Sequence, residues 1–243
     1  MKQHLPNYKH DFEGFSEWKR EDSPNYTFYF TKGSEAENDI QHIVTSQEQA
    51  FSKIVTTLGL QKPGKKIEYY LYPDAELKIK LMGDDWFAQS IYDEFRIHVL
   101  YTKDDKPIGP HEDTHLLTLP WGLSWNFIQE GLAEYMVGHC WDGTPHNQKL
   151  KEGILLGLDL LPSKQLSSED WLNADDNHII YYYALAGSWS QYLIESYGLN
   201  VYVDFYKNTQ RDMPSDEIRI KYQECFKKSL DVMEQEFLST LDK

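Results

Sequence analysis

Apolar and polar positions change period near the middle of the chain. In the first half, aromatic and aliphatic residues gather in three short runs, at 26–31 (YTFYFT), 66–72 (KIEYYLY) and 95–101 (FRIHVLY). Such runs, bounded by turn formers, predict strands. Pro73 stops the second, and in the third Ile97, Val99 and Tyr101 share one face. Ile40, Ile43, Val44, Phe51, Ile54, Val55 and Leu58 recur instead at helical spacing. Ser34 with Glu37 supplies a capping box at the start of that helix, and Gly59 closes it. A short helix is predicted over 76–82, ended by Gly83. Residues 1–24 carry no clear period and are expected to form an arm lying on the surface.

From Pro110 onward the period is helical, over 110–118, 124–137, 146–158, 178–197, 215–228 and 229–241. Pro120, Gly138, Gly198 and Pro214 punctuate these segments. The expected fold class is therefore α+β, a small mixed N-terminal sheet with helices followed by a mainly helical half. The expected organisation is an arm at 1–24, an α/β part at 25–109 and a helical part at 110–243.

Composition narrows the function. The chain of 243 residues is 40% hydrophobic and 26% charged, with a formal net charge of -15. A surface this acidic repels phosphate backbones and anionic membranes, so nucleic acid is excluded as the expected partner. Only two cysteines occur, Cys140 and Cys225, which suits a reducing compartment. The opening residues lack the apolar stretch of a leader, and no apolar run approaches the roughly 20 residues needed to span a bilayer. A cytoplasmic protein is expected, or a secreted one if a leader has been trimmed. Oligomeric state stays open.

His111-Glu112-Asp113-Thr114-His115 is an HExxH motif. Four residues apart on a helix, two imidazoles share a face and reach one zinc ion at about 2.0–2.1 Å. Glu112, on the neighbouring flank, is placed to take a proton from a metal-activated water. The motif alone recurs by chance on the order of a few times per hundred such chains, so a third ligand decides the matter. After fourteen intervening residues, including Pro120 and Gly122, His115 is followed by Glu130 in Phe127-Ile128-Gln129-Glu130-Gly131-Leu132-Ala133-Glu134. That interval lets one helix end and a second return beside it. Either Glu130 or Glu134 can serve as ligand. Gly131 favours Glu130, because a small residue there lets two helices approach closely, and Glu134 is then expected to accept the second hydrogen of a ligand histidine. Trp121 and Trp125 are expected to pack the intervening turn. Cys140 has no second cysteine nearby to make it a ligand.

HEDTHLL followed by FIQEGLAEYM resembles the gluzincin zinc metallopeptidases of the peptidase MA-like superfamily. Residues 183–198, YALAGSWSQYLIESYG, resemble their following Tyr-Gly helix, and residues 229–238 their closing helix. The resemblance implies a zincin-like fold and a protease that hydrolyses peptide or protein substrates. It further implies that a tyrosine of the Tyr-Gly helix donates to the oxyanion, a role falling on Tyr183, with Tyr181 and Tyr182 as rivals and His178 as a further donor. In these families the strand before the zinc helix is an exposed edge that pairs with substrate, which here means 95–101, with Arg96 and His98 expected at the surface. Asp113 departs from the pattern, being charged where the motif carries an uncharged residue, and is expected to point to solvent. The alternative reading is a catalytically inactive, zinc-binding scaffold or binding protein.

Overall fold

The computed structural model describes residues 9–167 and 177–241, which form two compact units, Met1–Leu117 and Thr118–Lys243. The architecture is α+β, with a five-stranded sheet on the N-terminal side and helices after it.

In the first unit the strands are β1 (Trp18–Asp22), β2 (Tyr26–Thr31), β3 (Ile67–Tyr72), β4 (Ala88–Ile91) and β5 (Arg96–Leu100). They lie in the order β1-β2-β3-β5-β4; β2, β3 and β5 run parallel, and β1 and β4 flank them antiparallel. Helix α1 (Glu35–Leu58) starts at Ser34, whose hydroxyl accepts from the Glu37 amide. The carboxylate of Glu37 accepts from Gly33, one residue before the place a full capping box requires. Gly59 ends the helix in the left-handed region at φ 62°, where a side chain would be strained. Tyr26 meets Phe51 of α1 edge to face at 6.0 Å, so this face of the sheet is covered by that helix. Phe12, Tyr70, Tyr72, Leu81, Met82 and Ile91 form a second cluster, which draws in α2 (Ala75–Met82) and the N-terminal turn.

Two strands differ from expectation. β1 falls within the residues expected to form an arm, yet it pairs with β2 from Trp18↔Thr31 to Asp22↔Thr27. Its charged sequence, WKRED, belongs to an edge strand with mostly exposed side chains, which hides the strand period. Second, β5 is an interior strand and not the edge. β4, too short and polar to announce itself, pairs outside it with Gln89 opposite His98. With both faces covered, Ile97, His98 and Val99 are all buried, although His98 was expected at the surface. Its ring stacks on Tyr70 at 4.8 Å and 4°, and its Nδ1 lies 3.0 Å from the Tyr72 hydroxyl. Arg96 is partly exposed and pairs with Glu13, Glu68 and Glu94.

The second unit contains α4 (Asn126–Val137), α5 (His146–Leu155), α6 (Ile179–Tyr197), α7 (Leu199–Lys207), α8 (Ser215–Phe226) and α9 (Leu230–Leu241), after α3 (Pro110–Leu117) closes the first unit. Both α4 and α5 pack on α6. Trp125 is buried against Phe205 and Tyr222, with its indole N–H donating to the Gln165 carbonyl. Trp121 packs on Tyr206. The sequence period does not separate α7, because Gly198 ends α6 and immediately starts the next helix.

Candidate metal centre

Helix α3 begins at Pro110, where the missing amide hydrogen would have had no helical partner. His111 and Glu112 are half-buried and His115 is buried. The two imidazole centroids are 5.0 Å apart. Ser90 on β4 sends its hydroxyl to Glu112, 2.6 Å from Oε2 and 3.0 Å from the backbone carbonyl. That contact limits the rotamers of a carboxylate otherwise free to swing at the start of a helix.

Asp113 points inward, against expectation. It is fully buried, and its Oδ2 accepts from the Tyr26 hydroxyl at 2.6 Å and from Gln47 Nε2 at 2.9 Å. Position decides this: on a helix of about 100° per residue, the residue midway between His111 and His115 projects from the opposite side. In this fold that side faces α1. Burial pushes the Asp113 carboxyl well above the usual carboxylate range, opposed by the Tyr26 hydrogen bond and reinforced by the charge of Glu112. The same burial and the same carboxylate raise Tyr26.

Glu130 sits on α4, half-buried. One ligand-capable atom each from His111, His115 and Glu130 lies within 4.8 Å of the others. Two imidazoles and one carboxylate form a donor set of the kind that fits zinc. Gly131 is also a close-approach residue, but its neighbour is α6. A Cβ there would meet Ser190 Oγ and lie 2.6 Å from the Ala186 carbonyl oxygen. Glu134 is buried and its Oε2 lies 2.7 Å from Nε2 of His146, a residue that no sequence motif marks.

Tyr181, Tyr182 and Tyr183 occupy the first turns of α6, all half-buried, and His178 precedes the helix. The Tyr183 ring packs edge-on to Trp141 at 5.5 Å, and Tyr181 lies under Lys149. Cys140 is buried and free, its thiol pushed up to about 12 by burial; Cys225 is also free.

No family model and no curated sequence matches this chain. Ser90, Gln47 and His146 carry no motif. Only Gln47 leaves a trace in the sequence, as a polar residue on the apolar stripe of α1 between Ile43 and Ile54. Among the described residues, no helix is long and apolar enough to cross a membrane.

Proposed function

We propose that the chain is a zinc-dependent peptidase of the gluzincin kind, with a zincin-like fold and with His111, His115 and Glu130 as metal ligands. The mutual approach of their three ligand atoms to within 4.8 Å supports this reading most directly. Zinc, when bound, lowers the pKa of a water and polarises the scissile carbonyl. Glu112, steered by Ser90, accepts the proton of the attacking water and returns it to the leaving amine. A phenol of the Tyr-Gly helix, Tyr183 ahead of Tyr181 and Tyr182, donates to the oxyanion without becoming charged. Glu134 and its partner His146 brace the helix that carries Glu130. An extended peptide would add to the outer edge of β4, since Ser90 on that strand touches the base. Two free cysteines agree with a cytoplasmic setting.

Purified protein is expected to hold about one equivalent of zinc. Glu112→Gln should abolish hydrolysis of a mixed peptide library while retaining the metal. A metal-free native protein, or an unchanged rate in the variant, overturns the proposal. Persistent inactivity of the zinc-loaded wild type supports the inactive scaffold instead.

A further inference from the structure

Gln47 is fully buried in the middle of α1, on the stripe formed by Ile43, Ala50, Phe51 and Ile54. A primary amide in such a place is costly unless both of its ends are paired. Both ends pair with the approach to and the opening of α3. Its Oε1 accepts from the Gly109 amide at 2.6 Å, and its Nε2 donates to Asp113 Oδ2 at 2.9 Å and lies 3.4 Å from the Gly109 carbonyl. Tyr26 reinforces the same oxygen at 2.6 Å. One side chain thus grips the backbone on one side of Pro110, His111 and Glu112 and a side chain on the other. The opening turn of a helix has unsatisfied amides and is where helices fray.

We propose that Gln47, assisted by Tyr26, is a positioning residue that fixes the rotation of α3 and so aims the HExxH side chains. Asp113, two residues from each histidine, lies about 160° around the helix from both at 100° per residue. Holding Asp113 against α1 therefore turns both imidazoles to the opposite face. The clamp acts on no reacting atom; its effect passes through the helix to the ligands. Its consequence for zinc rests on the function proposed above, whereas its consequence for the helix does not.

The test uses the full chain with Gln47→Met, which keeps length and helix preference but removes the side-chain hydrogen bonds to Gly109 and Asp113, and with Tyr26→Phe. Amide exchange at Gly109 is followed by NMR, and zinc affinity by competition with a chelator. Gln47→Met is expected to speed Gly109 exchange at least about tenfold and to weaken zinc by about 10- to 100-fold, the range seen for groups that orient metal ligands. Tyr26→Phe should change zinc affinity in the same direction by less. A folded Gln47→Met protein with only a lower melting temperature, and with Gly109 exchange and zinc affinity unchanged, overturns the proposal. Should that variant fail to fold, Tyr26→Phe decides by the same affinity measurement. If the wild type binds no zinc, the proposed function fails, and faster or unchanged Gly109 exchange still upholds or overturns the clamp.

Discussion

His98 shows what burial does to a single residue. Desolvation, helped by the nearby charges of Lys78 and Arg96, holds its pKa well below the ordinary value of about 6.5. The native ring is therefore neutral where the unfolded one begins to take up a proton. The unfolded state binds more protons below about pH 6.5, so stability falls as the pH drops from there towards the native pKa. One such group costs up to about 1.4 kcal/mol per pH unit across that window. The drop in urea midpoint between pH 7 and pH 5 should therefore shrink in His98→Phe, whose ring can keep the stack on Tyr70. An equal drop in variant and wild type would assign the acid sensitivity elsewhere. The residue scale is also where sequence reading is least complete. The spacing of His111, Glu112 and His115 is visible because it lies within one turn of chain. The inward turn of Asp113 and His98 is not, because their partners come from segments far away: Tyr26 and Gln47 for one, Tyr70 and Tyr72 for the other.

Among elements, α4 and α6 depend on Gly131. An added methyl would meet the Ala186 carbonyl and Ser190 Oγ, and Ser190 already bonds the Tyr202 hydroxyl at 2.9 Å, so neither can yield freely. Gly131→Ala should destabilise by about 1–3 kcal/mol, the usual cost of overpacking, even though alanine favours helix. Thermal unfolding of the pure variant measures it, and an unchanged midpoint would mean that α6 moves aside. The long periodic elements α1, β3 and α6 appear in the sequence because each carries its own apolar face. β1 and β4 do not, because a strand on the sheet's margin can be charged or very short. The family resemblance implied an edge at β5, and β4, which has no period of its own, takes that place instead.

On the scale of the whole molecule, metal and stability are expected to be linked. An ion held by the native ligands and not by the unfolded chain stabilises by mass action, about 2.7 kcal/mol at a free concentration one hundred times Kd. Dialysis against a chelator should lower the melting temperature, and stoichiometric zinc should restore it. An identical melting curve with and without chelator would remove His111, His115 and Glu130 as a ligand set. The sequence by itself determined the α+β succession, the helix bounds set by Ser34, Gly59 and Pro110, and the HExxH spacing, since each depends on local backbone geometry. Only the tertiary structure decided that β4 is the edge, that Ser90 holds Glu112, and that Gln47 grips α3. Each of those depends on which distant segment arrives to bury a face or satisfy a polar atom, and no local pattern records that arrival.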